Sequence, residues 1–183
     1  MLDQALRKIT NVLENLKVPY ALIGALALAF YEVVRATQDV DALILLSPVE
    51  MTSLVGKIAR LGLSATARRG LPGDPLVGVV EVEIPTEGGV LTCDLVLPAK
   101  RWQSEAVRNA RVFEAEGLSV RVVQARDIFL LKLYAGGPQD LLDAGQLLRL
   151  QDEVTKSAWK QAASKLRMTE ELKRCLKYMA EEG

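Results

Sequence analysis

The sequence contains no histidine among its 183 residues. That absence removes a histidine-based catalytic triad, a histidine general base and any histidine-ligated zinc centre. Acid–base work is left to Asp, Glu, Lys, Tyr or Cys. Cysteine is scarce: Cys93 and Cys175 lie far apart and form no Cys-x-x-Cys pair, which argues against a disulfide framework and for a reducing compartment. Excess charge is missing as well. The 23 Lys and Arg balance 23 Asp and Glu, so no overall field draws the chain to nucleic acid or to an anionic membrane. The longest apolar stretch, Ala21 to Tyr31, is too short to span a bilayer. The opening MLDQALRKITNVLENL has helical apolar spacing with interspersed charge, unlike a secretory leader. These absences predict a soluble, cytoplasmic protein with no membrane association.

What is present is a core-forming composition, half hydrophobic and a quarter charged, at a length suited to one domain with a helical appendage. Leu2, Leu6, Ile9, Leu13 and Leu16 make one stripe of an amphipathic helix, ended by Val18-Pro19. Tyr20 to Ile23 reads as a short strand, Gly24 as a turn, and Ala25 to Val34 as a small-residue helix. Asp39 to Leu46 reads as a strand entering the core. Pro48 to Leu61 reads as a helix capped by Ser47, and Leu63 to Arg68 as a strand. Arg69 to Pro75 is a loop by composition. Val77 to Ile84 and Val90 to Leu97 make a hairpin with a long turn over Pro85 to Gly89. A helix over Arg101 to Asn109 precedes a second hairpin, Arg111 to Glu116 and Leu118 to Val123, around Gly117. From Ala125 the chain is helical: one helix to Tyr134, one from Pro138 to Leu150, and one or two more over Val154 to Met179. The expected organisation is an α/β core over residues 1–123 and a C-terminal helical region over 124–183 packed on it.

The segment TQDVDALIL carries the chemistry. Residues two apart on a strand share a face, so Asp39 and Asp41 project together. Adjacent carboxylates repel unless a cation stands near, and Mg²⁺ is the ion suited to carboxylate and triphosphate oxygens. Asp94 lies in LTCDLVL, a strand too apolar to bury a lone carboxylate cheaply. If the two strands are neighbours, the three aspartates converge. They would then form a two-ion site in which one ion holds a triphosphate and the other activates an acceptor hydroxyl, with Asp94 available as general base. Solvated aspartates at strand ends are the plainer alternative for Asp39 taken alone.

The run GALALAFYEVVRATQDVDALIL followed by LTCDLVL resembles the nucleotidyltransferase-fold superfamily: a glycine turn, a small-residue helix, an Arg-x-Thr approach, Asp-x-Asp on a strand, then a third aspartate. The later segment ARDIFLLKLYAGGPQDLLDAGQLL is similar to bacterial AbiEii/AbiGii-like toxin-type nucleotidyltransferases. The resemblance implies a mixed sheet flanked by helices. It implies Asp39, Asp41 and Asp94 as metal ligands and catalytic groups. It also implies Gly24 and Ala25 at the triphosphate, Arg35 and Thr37 beside the nucleotide, Lys132 on the phosphates, and Asp140 or Asp143 as a brace of the site. The activity implied is Mg²⁺-dependent transfer of a nucleoside monophosphate from a nucleoside triphosphate to an acceptor hydroxyl on tRNA, a protein or a small molecule. An antitoxin protein would be a partner.

Where that family usually has Gly-Gly or Gly-Ser, this chain has Gly24-Ala25. The alternative function is therefore a non-catalytic nucleotide- or partner-binding module on the same fold. A phosphatase with Asp-x-Asp after an apolar strand does not fit, because Arg35-Ala36-Thr37-Gln38 precedes Asp39. Lys132, within IFLLKLY, must pair, snorkel or face a cleft. Asp140 suits the first turn of a helix; Asp143 has less structural excuse. Arg68, Arg69, Lys100 and Arg101 read first as solvated charge, with an acceptor surface as the alternative. Trp102 and Trp159 read as packing residues.

Overall fold

The computed structural model describes residues 1–71, 77–115 and 117–181, so part of the expected loop Arg69 to Pro75, and Glu116 of the second hairpin, lie outside the described residues. By internal contacts the chain divides into two compact units. One comprises Met1–Ala27 and Arg35–Val123; the other comprises Leu28–Val34 and the chain from Gln124 onward.

The first unit is built on a mixed sheet of seven strands in the order β3-β4-β5-β2-β1-β7-β6. The strands are β1 (Tyr20–Ile23), β2 (Val40–Ile44), β3 (Ser64–Arg69), β4 (Gly78–Thr86), β5 (Gly89–Val96), β6 (Arg111–Ala115) and β7 (Leu118–Val122). The pairs β2–β5 and β1–β7 are parallel; the others are antiparallel. Helices α1 (Leu2–Asn15) and α4 (Arg101–Arg108) pack on the central strands. One register of those strands is buried: Leu22, Val40, Ala42, Ile44, Val80, Val82, Ile84, Cys93 and Leu95. It meets the predicted α1 stripe, of which Leu6, Ile9 and Leu13 are buried. Burial of such side chains is worth roughly 1.5–3 kcal/mol each. Gln103 fixes the start of α4, its Oε1 accepting from the N–H groups of Ala99 (2.7 Å) and Lys100 (2.9 Å).

Three local expectations are corrected. The helix expected over Ala25 to Val34 is only α2 (Gly24–Ala29). Glu32 adopts a left-handed conformation (φ 65°), while the N–H groups of Glu32 and Val33 return to the carbonyls of Ala29 and Leu28. This closes the helix in a Schellman-type cap with no glycine to announce it. The helix expected from Pro48 begins as a 3-10 turn (Pro48–Glu50) before α3 (Met51–Arg60). Ser47 does open it: Glu50 Oε2 accepts from the Ser47 N–H at 3.0 Å and from its hydroxyl. The turn over Pro85 to Gly89 is short, because Pro85 and Thr86 continue β4 opposite Val90 and Gly89. Pro85 is tolerated there since β3 pairs β4 only as far as Glu83, so no ladder bond needs its missing N–H.

The second unit holds α5 (Ala125–Ala135), α6 (Pro138–Arg149), α7 (Glu153–Lys165) and α8 (Thr169–Glu181). Gly136 ends α5 at φ 68°, and Pro138 opens α6. Trp159 is buried as expected, its ring 5.5 Å from that of Phe129. At Gly145 the crossing of α6 and α8 is tight, since a Cβ there would lie 2.8 Å from Met179 Cγ. No helix among the described residues is long and apolar enough to cross a membrane.

Both cysteines are free and fully buried. Burial, with the charges of Asp41 and Asp94, pushes the Cys93 thiol well up; burial raises Cys175 to about 11. Reactivity follows the thiolate fraction and access. In the native protein both thiols will react with an aromatic disulfide reagent at least ~100-fold more slowly than a free thiol, and in denaturant both will react at once. Fast labelling of either cysteine without denaturant would contradict this packing.

Candidate functional site

The face of the sheet opposite the buried register carries the carboxylates. Parallel pairing sets Asp41 of β2 directly beside Asp94 of β5. The row continues from Asp94 to Glu81 of β4 and Thr66 of β3, and on the other side from Asp41 to Ile23 of β1. Cα partners share a face, so two of the three predicted aspartates are side-by-side neighbours. Asp39 stands one residue ahead of β2, exposed. Its backbone N–H donates to Thr37 Oγ1 at 3.3 Å, and the Thr37 hydroxyl reaches Asp39 O at 3.4 Å. Thr37 therefore fixes the entry to β2. Arg35 is exposed, with Nη1 3.4 Å from the Ala36 carbonyl.

Asp94 is the electrostatically loaded member. Its Oδ1 is buried and has no hydrogen-bond partner among the described residues. Burial raises its pKa, the charges of Glu81 and Asp39 raise it further, and Arg68 opposes them. A carboxylate oxygen sealed from water without a donor is costly, and a bound cation is one way to satisfy it. The donor set is entirely hard oxygen, which fits Mg²⁺ rather than a softer metal. Among the described residues, no three His, Cys, Asp or Glu side chains are already posed around a common point as a metal site.

Gly24 is placed by this arrangement. It opens α2 at φ 69°, where a side chain is strained. A Cβ there would lie 2.9 Å from Asp41 Cγ and would overlap Asp41 Oδ2. The glycine turn and the Asp41 carboxylate are thus in direct contact, and Ala25 next to them is buried. Gly24→Ala will destabilise the protein by about 2 kcal/mol or more, read as a lowered urea midpoint. An unchanged midpoint would show that neither the backbone nor Asp41 constrains this position.

Within the helical unit, Lys132 is 8% exposed and Asp143 fully buried. Lys132 Nζ donates to Asp140 Oδ1 at 2.8 Å. It also stands 2.8 Å from Asp143 Oδ2, an ionic approach without the angular fit of a hydrogen bond. Asp143 Oδ1 accepts from Gln139 Nε2 at 2.9 Å. Both aspartates, rather than one, hold the lysine.

Glu81 and Arg68 were not singled out as neighbours of the aspartates by sequence reading. Exposed charge on β3 and β4 looks like ordinary solvated surface. The alternation of glutamate with apolar residues in VVEVEI marks Glu81 and Glu83 as sharing a face, but only the strand register joins that face to Asp94.

No family model matches the chain, and no curated protein matches its sequence. Solved structures do match its fold. An antigenic nucleotidyltransferase-like protein from Paracoccidioides brasiliensis is 16% identical, with a TM-score of 0.50 and coverage of 92% of this chain and 88% of that one. The antibiotic-resistance factor ANT(2'')-Ia is 16% identical, with a TM-score of 0.52 and coverage of 89% of this chain and 93% of that one. At such identities the likeness is one of fold: this is a nucleotidyltransferase-type mixed α/β sheet flanked by helices.

Proposed function

We propose that the chain transfers a nucleoside monophosphate from a nucleoside triphosphate to an acceptor hydroxyl, releasing pyrophosphate. The observation that carries this reading is the register that sets Asp41 beside Asp94, with a buried oxygen on Asp94 that has no partner among the described residues, in a fold shared with nucleotidyltransferase-like proteins. Asp39, Asp41 and Asp94 would hold Mg²⁺ in a two-ion set. Bound there, Mg²⁺ would supply charge neutralisation at the phosphate oxygens and an acidified acceptor hydroxyl. The residues' own work is positioning. Gly24, without a side chain, lets the backbone come close to the triphosphate beside Asp41, and the Ala25 N–H is offered to a phosphate oxygen. Thr37 holds Asp39 in line with β2, while Arg35 is a nucleotide-side cation. Asp94, on the acceptor side, takes the hydroxyl proton as oxygen attacks the α-phosphorus and the bond to pyrophosphate breaks. Lys132 is assigned to phosphate and Asp143 to bracing it, which their ion pair supports.

The finer reading is an AbiEii/AbiGii-like toxin acting on tRNA or protein and held by an antitoxin. It rests on the resemblance of the α5–α6 segment. A second reading is a nucleotide- or partner-binding module without turnover, and it is favoured by Ala25 in the turn.

Thermal unfolding with each nucleoside triphosphate, with and without Mg²⁺, separates these readings from an inert fold. A bound nucleotide at 100 times its Kd adds about 2.7 kcal/mol, a rise of several degrees. Labelled nucleotides incubated with total RNA, lysate protein and small hydroxyl compounds then report turnover. Mg²⁺-dependent stabilisation with label on one acceptor class is the expected result. Stabilisation without transfer leaves a nucleotide-binding module, and no response to any nucleotide overturns the transferase reading and leaves a module that binds only a partner chain.

A further inference from the structure

Arg68 is a cation on the acidic face. Alternation along β3 puts it on the side of Thr66, the residue opposite Glu81 in the row that contains Asp94 and Asp41. Neighbouring strands stand about 4.8 Å apart and rise about 3.3 Å per residue. The Arg68 Cα is therefore about 12 Å from that of Asp94, a span that an arginine side chain largely covers. Its charge is felt at Asp94, against those of Glu81 and Asp39. Glu81 sits diagonally across the β3–β4 pair, a separation that long side chains reach. Yet among the described residues Arg68 is in no ion pair: it is exposed, and its guanidinium fork is open.

The position of Arg68 relative to the turn decides what it serves. Gly24 and Asp41 lie on the β1–β2 side of Asp94, where the triphosphate is proposed to sit. Arg68 lies on the other side, beyond β4, with Ser64 and Thr66 exposed along the same strand. A cation there does not serve the triphosphate. It faces whatever brings the hydroxyl to Asp94, on a flank whose other charges, Glu81 and Glu83, are negative and exposed. A diffuse basic surface would take any polyanion. One open guanidinium beside two carboxylates accepts an anion at a single point, and a planar fork matches phosphate oxygens in pairs.

The geometry points to Arg68 as an acceptor-recognition residue, and to an acceptor that carries a phosphate group close to its reacting hydroxyl. This inference rests on the proposed transferase reading, and it adds the acceptor's chemical class. The phosphate belongs either to a nucleic-acid end or to a small phosphorylated alcohol.

The full-length protein is tested by fluorescence anisotropy with a short labelled oligoribonucleotide bearing a free 3′-hydroxyl. Glycerol 3-phosphate serves as competitor, and wild type is compared with Arg68→Ala and Arg68→Lys. The expected result is about tenfold weaker binding in Arg68→Ala and a salt-dependence slope shallower by about 1. Arg68→Lys should recover part of the affinity but not bidentate strength. All three proteins should still show a Mg²⁺-dependent thermal response to nucleotide, because Arg68 lies away from the triphosphate side. If glycerol 3-phosphate itself accepts label in an Arg68-dependent way, the small-molecule source is identified; if only the oligoribonucleotide does, the nucleic-acid source is. Equal affinity for both probes in wild type and Arg68→Ala overturns the inference, as does label transfer to an uncharged or cationic acceptor. Loss of the nucleotide response in wild type, with Arg68-dependent probe binding retained, is instead a failure of the transferase reading.

Discussion

Lys132→Met will destabilise the protein by about 3–5 kcal/mol, the usual result of removing one partner from a buried ion cluster. Lys132 is 8% exposed, and its ammonium stands 2.8 Å from both Asp140 and Asp143, of which Asp143 is fully buried. Methionine fills similar volume, so a cavity contributes little. What changes is that two carboxylates lose their cation, while Asp143 Oδ1 keeps its donor, Gln139. At this chain length each kcal/mol lowers Tm by roughly 2–4 °C, so the expected fall is about 6–20 °C, read by circular dichroism. The triple variant Lys132→Met/Asp140→Asn/Asp143→Asn removes the stranded charges and should regain most of the loss. A single variant that melts within a degree of wild type would mean that Lys132 does not neutralise this pair. The stability readout is independent of nucleotide, so it tests the cluster itself rather than the phosphate role proposed for its lysine.

The sequence exposed the aspartate-bearing strands because period-2 patterning is a local signal. TQDVDALIL and LTCDLVL each show which side chains share a face, and their apolar neighbours show that the strands are central. Those strands pair in parallel, with Asp41 beside Asp94. What local pattern could not supply was the neighbour across the ladder. Glu81 and Arg68 lie on strands that look like solvated surface, and they acquire meaning only from the β3–β4–β5 register. The length of α2 was hidden for a different reason. Its cap uses Glu32 in a left-handed conformation, a position where glycine would have been a visible signal and glutamate is not. The Pro85 turn failed in the same manner. Proline reads as a strand breaker unless one knows that β3 stops short of it. Lys132 was legible as an anomaly in an apolar helix, but that Asp140 and Asp143 are its partners was not. That both aspartates share it is a matter of packing.

Asp94→Asn should separate chemistry from stability more sharply than any other change. Transfer activity is expected to fall by 10³-fold or more, in the range seen when a preorganised charged group at a reacting centre is removed. The fold of the metal-free protein should be as stable as wild type or more so, and the sign follows from the pKa. Burial, Glu81 and Asp39 hold the Asp94 carboxyl above its usual value of 3.8, so the native state binds its proton more tightly than the unfolded chain does. Wild-type stability from this group is therefore complete below the ordinary aspartate pKa and is lost as pH rises through the raised native value. Asparagine carries no charge to lose. The advantage of Asp94→Asn over wild type should thus be absent near pH 3, should grow as pH climbs, and should level off once Asp94 is ionised in the native state. Mg²⁺ with nucleotide should reverse the order, stabilising wild type while leaving Asp94→Asn unmoved, because a cation restores the value of the ionised carboxylate. An aspartate with only a structural role would show the opposite dependence, with Asn weakening the fold at neutral pH and the nucleotide response unaltered. Urea midpoints for the two proteins across pH 3 to 8, with and without Mg²⁺ and nucleotide, distinguish the cases.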